Sequence, residues 1–217
     1  MQSLKSVQLF ESLSEDELDL LLQVRQIRSF PANATIINDG DTTNALYIIN
    51  KGKVKVCISN EQGREVVIAQ LADGEYFGEM SLIDDKPRSA SIITRTACEL
   101  SVIQKDDFQR MLASNPKLSL AVMRGLSGRL RKADRKIETL ALMDVYGRIA
   151  RALLDMAVEC GDGRMVVQEK LTQSDLASMV GSSREMVNRI LKDLTTGGYI
   201  SRQDKQIYIN TKLPPGW

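Results

Sequence analysis

The chain has 217 residues, of which 43% are hydrophobic, so it can bury one large core or two smaller ones. No stretch approaches the roughly 20 apolar residues of a membrane-spanning helix, and no basic segment followed by an apolar run opens the chain, so we expect a cytoplasmic protein without a membrane partner. Residues 1–116 carry 12 basic and 17 acidic groups, a net charge of −5, whereas residues 117–144 carry +4 and residues 145–217 carry +2. The basic second half favours a polyanionic partner.

The residue types that are scarce argue against an enzyme. The chain has no histidine, which is the commonest general base, zinc ligand and haem ligand. Its three cysteines, Cys57, Cys98 and Cys160, are far apart and form no C-x-x-C pair, so we expect reduced, mostly buried thiols rather than disulfides or a zinc site. We therefore predict no catalytic residue, no metal and no haem.

The first hundred residues predict a short helix followed by many strands. Ser14 precedes an acidic turn and then Leu18, Leu20 and Leu21, as at a helix start. From Val24 onward, short segments rich in β-branched residues lie at 45–49, 53–56, 65–68 and 91–93, separated by turn dipeptides such as those at 39–40 and 73–74. Many short strands at this spacing indicate a barrel or a sandwich.

A long helix is predicted over residues 116–143. Its apolar residues recur at spacings of 3, 4, 3, 4 and 3, which is a heptad seam, and basic residues flank it. We interpret this narrow stripe as the interface of a parallel homodimer, although one helix packed on its own domain is the alternative. The seam consists of Met123, Leu126, Leu130, Ala133, Ile137 and Leu140.

Asp144 follows the seam and marks the expected hinge between domains. It can cap a helix that we expect to run to about Val158 and to end at Gly161-Asp162-Gly163. A short strand at 165–167, two helices and a hairpin formed by 199–200 and 207–209 should follow.

Residues 171–190 have the pattern of a helix-turn-helix. Ala177 is small where two helices cross, Gly181 suits the turn, and Thr172 and Ser183 can cap the two helices. Arg184, Glu185 and Arg189 then project from the second helix towards a DNA major groove, where arginine pairs with guanine and glutamate with cytosine. The hairpin would form a wing with Arg202 and Lys205 near phosphates. The remaining candidate DNA-binding residues are Gln173 and Asn188.

Residues 73–90 suggest a cradle for a phosphate. Gly78 allows close approach of the backbone, the amides after Glu79 can open a short helix towards an anion, and Arg88 and Ser89 supply charge and a hydroxyl. Glu79 can accept a hydrogen bond from a ribose hydroxyl. A structural pair between Arg88 and a carboxylate is the alternative.

The chain as a whole resembles the Crp/Fnr family of transcription regulators, over residues 10–100, 105–143 and 144–211. The resemblance implies an α+β fold with a β-roll effector domain at 1–115, a dimerisation helix at 116–143 and a winged helix-turn-helix domain at 144–217. The family's G-E-x-x-L and R-S-A motifs hold ribose and cyclic phosphate, and they correspond to Gly78, Glu79, Met80, Ser81, Arg88 and Ser89 here.

The family resemblance also implies partners. Cyclic AMP is the expected effector, the DNA site would be two-fold symmetric with half-sites resembling TGTGA, and RNA polymerase would be a partner. The redox-sensing branch of the family uses an amino-terminal cysteine cluster, which this chain lacks, so no iron–sulfur cluster is expected.

One departure from the family pattern concerns the base of the effector. A threonine-serine pair on the dimer helix contacts adenine in the branch that binds cyclic AMP, and Ala133-Asp134 stands there in this chain. Asp134 could accept from an amino group, or it could pair with Arg135 or Lys136. Cyclic di-GMP as the effector, or activity without a ligand, is therefore the alternative within the family. A kinase or channel regulatory domain is another, but it predicts no helix-turn-helix.

Overall fold

The structure is a computed structural model that describes residues 7–11, 13–62, 65–161, 163–168, 171–204 and 206–214. The chain divides into two compact units, Met1–Lys132 and Ala133–Trp217. None of the helices in the described residues is both long enough and apolar enough to cross a membrane.

The first unit is built around two four-stranded antiparallel sheets, which form the predicted roll. One sheet has the order β1-β8-β3-β6 and the other β2-β7-β4-β5. The strands are β1 (Gln26–Phe30), β2 (Thr35–Ile37), β3 (Ala45–Lys51), β4 (Val54–Ser59), β5 (Glu65–Leu71), β6 (Tyr76–Phe77), β7 (Ser91–Thr94) and β8 (Cys98–Gln104).

The strands form where polar and apolar residues alternate in the sequence or where the sequence is continuously apolar. In β7 the side chains of Ile92 and Thr94 point inward and their neighbours are partly exposed, whereas β3 pairs on both sides and buries its first five residues. The ring of Tyr47 stacks on that of Phe77, with centroids 5.1 Å apart. These side chains fill the core between the sheets.

Helices cover the other core of the first unit. A 3₁₀ turn (Gln8–Phe10) and the helices α1 (Glu15–Val24), α2 (Met80–Asp84), α3 (Lys105–Ser114) and α4 (Pro116–Leu142) belong to this part of the chain, and α4 continues into the second unit. Ser14 and Glu17 form a capping box that starts α1 as predicted. Leu118 and Val122 attach α4 to this core.

The second unit packs three helices on a four-stranded sheet of order β11-β12-β10-β9. Asp144 caps its first helix by accepting from the N–H of Gly147 at 2.7 Å, as predicted. The elements are α5 (Val145–Asp155), β9 (Ala157–Glu159), β10 (Met165–Val167), α6 (Gln173–Val180), α7 (Arg184–Thr196), β11 (Ile200–Gln203) and β12 (Gln206–Ile209).

The predicted end of α5 is wrong. The helix stops at Asp155, and residues up to Glu159 form β9, which pairs with β10 through Val158 and Val166. The glycines at 161 and 163, both at positive φ, therefore belong to a hairpin turn rather than to a helix end, and Asp162 between them lies outside the described residues. Pairing with β10 makes Ala157–Glu159 a strand, because these residues alone could continue the helix.

Candidate functional site

The segment between β6 and β7 forms a cradle around Gly78. This residue has φ +88°, and a Cβ there would lie 2.5 Å from Nη1 of Arg88 and 3.0 Å from the carbonyl oxygen of Ala45. Both the backbone conformation and the lack of space require glycine. The short helix α2 follows at once, with Glu79 at its N-cap position.

Arg88 is buried beneath this turn and holds it by hydrogen bonds to uncharged groups. Its Nη1 and Nη2 donate to the carbonyl oxygens of Gly78 and Ala45, each at 2.6 Å, and its Nε donates to the hydroxyl of Thr43 at 3.1 Å. Burial lowers the pKa of the guanidinium from its usual value, but the group stays charged. The cradle thus contains a buried cation that, among the described residues, donates hydrogen bonds only to neutral acceptors.

Glu79 is the second buried charge of the cradle, with 1% of its surface exposed. Its Oε1 accepts from Nη1 of Arg129 on α4 at 2.7 Å, whereas Oε2 has no hydrogen-bond partner among the residues that the structure describes. Arg129 also donates to the carbonyl oxygen of Tyr76 and lies over the Tyr76 ring. Arg129 is one of the basic residues that flank the predicted seam, and no local pattern links it to a residue 50 positions away.

The other candidate ligand residues differ in exposure. Ser81 is buried and donates weakly to the carbonyl oxygen of Gly78 at 3.4 Å. Met80 and Ser89 are exposed, and the Ser89 hydroxyl lies 3.8 Å from the Met80 sulfur. Ala133 and Asp134 begin the second unit within α4, and both are exposed.

The helices α6 and α7 form the predicted helix-turn-helix. Thr172 caps α6 in a capping box with Asp175, and Ser183 caps α7 by accepting from the N–H of Met186. Gly181 adopts the left-handed conformation at φ +64° between the helices. The helix contact is buried as predicted, through Leu176, Ala177, Val187 and Ile190.

The outer face of α7 carries the polar residues proposed to read bases. Arg184, Glu185, Asn188 and Arg189 are all exposed, and Asn188 accepts from the amide of Gln173 at 2.6 Å. Hydrogen bonds from its own backbone N–H and from Ser183 hold the pKa of Glu185 below the usual value, so this carboxylate is an ionised acceptor at neutral pH. The face thus offers two guanidinium donors and one acceptor.

The hairpin after α7 has the form of a wing. The strands β11 and β12 pair from Ile200 and Ile209 to Gln203 and Gln206, and Arg202 is exposed on β11. Lys205, the other predicted phosphate contact, lies outside the described residues.

The predicted dimer seam is largely uncovered in the single chain. Met123, Leu130 and Ile137 are 55%, 64% and 65% exposed, and Leu140 is 42% exposed. Ala133 is also exposed, whereas Leu126 packs partly against the core of the first unit. A stripe of exposed large apolar side chains along one helix is typical of a surface that another helix covers.

Comparison with known proteins assigns both units. Residues 27–115 match the cyclic nucleotide-binding domain, and residues 147–212 match the Crp-like helix-turn-helix domain. The chain is 34% identical over 202 residues to the cAMP-activated global transcriptional regulator CRP of Salmonella typhimurium, with 90% of this chain and 95% of that protein covered. It is 35% identical to the cAMP-activated regulator Vfr of Pseudomonas aeruginosa over 201 residues, covering 88% and 92%.

A solved structure shares this two-unit layout. The c-di-GMP responsive global regulator CLP of Xanthomonas campestris is 28% identical, with a TM-score of 0.80 and 92% of this chain and all of that chain covered. A helix-turn-helix match on the second unit excludes the kinase or channel regulatory domain considered above. The two domain matches and these relatives show that the chain belongs to the Crp/Fnr family, as a transcription regulator that responds to a cyclic nucleotide and binds DNA, and not as an enzyme.

Proposed function

We propose that this regulator is a homodimer that cyclic AMP activates for binding to two-fold symmetric DNA in the cytoplasm. The observation that supports an effector site in the cradle is its pair of buried charges, Glu79 and Arg88. Among the described residues, Oε2 of Glu79 has no donor, and a buried acceptor left in this state is unfavourable by about 1–3 kcal/mol. A sugar hydroxyl would supply the missing donor, while Arg88 and Ser89 lie close by for the cyclic phosphate.

Two relatives, CRP of Salmonella typhimurium and Vfr of Pseudomonas aeruginosa, are cAMP-activated regulators, which supports cyclic AMP as the effector. The base half of the proposed site is altered, because Ala133 has no hydroxyl and an ionised Asp134 can only accept. An acceptor suits the amino group of adenine, and it suits the adjacent N–H and amino groups of guanine at least as well. We therefore expect weaker selection of cyclic AMP over cyclic GMP than a hydroxyl pair would give.

Cyclic di-GMP is the second candidate effector. The Xanthomonas regulator with this response superposes on the chain with a TM-score of 0.80, over 92% of its length. Activity without a ligand is the remaining alternative, and a titration distinguishes the three.

Calorimetric titration of cyclic AMP, cyclic GMP and cyclic di-GMP into the full chain tests the effector. We expect cyclic AMP to bind, Arg88→Ala and Ser89→Ala to weaken binding strongly, and Asp134→Ala to change the ratio of the cyclic AMP and cyclic GMP affinities. Lys86→Ala is the matched control, because Lys86 is an exposed cation two residues from Arg88. Binding of neither mononucleotide to the wild type refutes the proposal, and an unchanged ratio removes Asp134 from the site.

The proposed activation connects the cradle to DNA through α4. Effector binding in the domain at 1–115 would reorient the dimerisation helix at 116–143 and the hinge near Asp144, which carries the DNA-binding domain at 144–217. A symmetric dimer would place its two α7 helices about 34 Å apart, one turn of DNA, on half-sites resembling TGTGA.

On DNA, we propose that Arg184, Glu185 and Arg189 read bases, and that Arg202 and Lys205 contact phosphates. The other proposed DNA contacts come from the caps and polar side chains of the motif, namely Thr172, Gln173, Ser183 and Asn188. RNA polymerase would be the protein partner. Anisotropy titration of a TGTGA palindrome and a scrambled duplex tests this, and equal affinity for both in the presence of effector refutes it.

A further inference from the structure

A second pocket lies in the first unit, on the flank of α4. Its volume is about 540 Å³, within the range of small-molecule sites. The amino-terminal 3₁₀ turn with the residue after it, the turn before β6 with the start of β6, and α4 form its walls. None of the cradle residues Gly78, Glu79, Arg88 and Ser89 lines it, although Arg129, the ion-pair partner of Glu79, does.

The pocket is positively charged. Four basic residues, Lys117, Arg124, Arg129 and Lys132, line it together with Glu11 and Glu75, which leaves an excess of two positive charges. Glu75 accepts from the backbone N–H of Ala72 at 2.9 Å, and Arg129 is paired with Glu79.

Two of the pocket's cations have no partner among the residues that the structure describes. Arg124 and Lys132 are exposed, and neither forms an ion pair or a hydrogen bond within the described part of the chain. They are available to bind an anion.

The pocket also has an apolar wall and a polar atom at its base. Leu9, Leu120 and Ala121 supply the apolar surface. The hydroxyl of Tyr76 is buried, points at Gly125, and has no hydrogen-bond partner among the described residues. Burial raises the pKa of Tyr76, so the hydroxyl stays a neutral donor at physiological pH.

Two of the residues that line the pocket are glycines within α4, although glycine weakens a helix interior. A Cβ at Gly125 would lie 2.2 Å from the Tyr76 hydroxyl, so packing requires this glycine. A Cβ at Gly128 would meet nothing within 4 Å, so packing does not explain the second. Because Gly128 lines the pocket, its lack of a side chain leaves room for a ligand.

The proposed dimer would leave this pocket accessible. Gly128 stands two residues from both Leu126 and Leu130, which is about 200° around an α-helix with 3.6 residues per turn. Gly128 thus lies on the face of α4 opposite the seam.

We propose that this pocket binds a small organic polyphosphate of the nucleoside diphosphate or triphosphate class. Arg124 and Lys132, with Lys117, bind the phosphates, because guanidinium and ammonium groups are the usual partners of phosphate oxygens. The base and sugar lie against Leu9 and Leu120. This proposal does not rest on the cyclic-nucleotide effector proposed above.

Calorimetric titration of ADP, inorganic pyrophosphate and adenosine into the full chain tests the site. We expect ADP to bind more tightly than pyrophosphate, adenosine not to bind, and an excess of cyclic AMP not to displace ADP. Arg124→Gln and Lys132→Gln should each weaken ADP binding about tenfold, the effect of losing one charge-assisted hydrogen bond. Gly128→Leu should block the pocket without lowering the melting temperature, since leucine is the better helix former.

Arg131→Gln is the matched control, because Arg131 is an exposed cation on the same helix that does not line the pocket. Its ADP affinity should equal that of the wild type. The proposal is overturned if ADP does not bind, if cyclic AMP displaces it, if Arg131→Gln weakens it as much as Arg124→Gln, or if Gly128→Leu binds it normally. Pyrophosphate binding as tight as that of ADP overturns the assignment to an organic ligand.

Discussion

Replacing Leu130 by glutamate should dissociate the proposed dimer. In the single chain, Met123, Leu130 and Ile137 are 55–65% exposed and Leu140 is 42% exposed. Fully burying such a side chain contributes about 1.5–3 kcal/mol, so covering the exposed parts of these four on both helices contributes roughly 10 kcal/mol. Association itself costs about 4–15 kcal/mol, so the seam provides a surplus of at most about 6 kcal/mol.

Glutamate at position 130 removes more than that surplus. It forfeits the apolar contribution of Leu130 on both helices, roughly 3 kcal/mol, and places two carboxylates in the seam. Burying an unpaired charge costs several kcal/mol more for each ion. The electrostatic cost therefore dominates, and the variant should be monomeric at micromolar concentration.

Light scattering or sedimentation measures the change directly. Arg131→Glu serves as the control, since it adds a carboxylate at the next residue of α4, which is exposed and outside the heptad stripe. It should remain as dimeric as the wild type. A fully dimeric Leu130→Glu at micromolar concentration would show that the stripe is not the interface.

Three further predictions concern DNA, the effector and the thiols. Arg189→Ala should weaken specific binding by about 1–3 kcal/mol per half-site and relax specificity at one base pair, whereas Arg202→Ala should weaken binding to all sequences and lower the salt dependence. Anisotropy titrations on specific and random DNA separate the two effects. If Arg189→Ala loses equal affinity for both DNAs, Arg189 does not read bases. Arg88→Ala should lower thermal stability as well as effector affinity, because two buried carbonyls lose their donors; an unchanged melting temperature would contradict this. Burial raises the pKa of the Cys57 thiol to about 11, because the folded protein favours the neutral thiol. The resulting contribution to folding stability is fully present below the ordinary thiol pKa of 9.0 and is lost as the pH rises to about 11. Denaturant unfolding across that range should show a steeper loss for the wild type than for Cys57→Ala, and a thiol reagent at pH 8 should modify the partly exposed Cys160 first.

Interactions between residues close in sequence determine much of this fold. The caps at Ser14, Asp144, Thr172 and Ser183 each accept a hydrogen bond from the backbone N–H three residues later, so the sequence alone places these helix starts. Gly181 adopts the left-handed conformation that the turn needs for the same local reason. The 3-4 spacing of apolar residues likewise placed the exposed stripe on α4, because helical periodicity is a local property.

Tertiary structure decided the features that depend on residues distant in the chain. The helix α5 ends at Asp155 because β10 offers a pairing partner to Val158, which no pattern within the helix reveals. Glu79 pairs with Arg129, 50 residues later, only because α4 packs against the turn after β6. Arg88 donates to the carbonyl oxygens of Gly78 and Ala45, two partners that the sequence did not predict. The packing of sheets and helices decides which side chains that are far apart in sequence come into contact. Buried polar groups then form hydrogen bonds with the partners that this packing brings close.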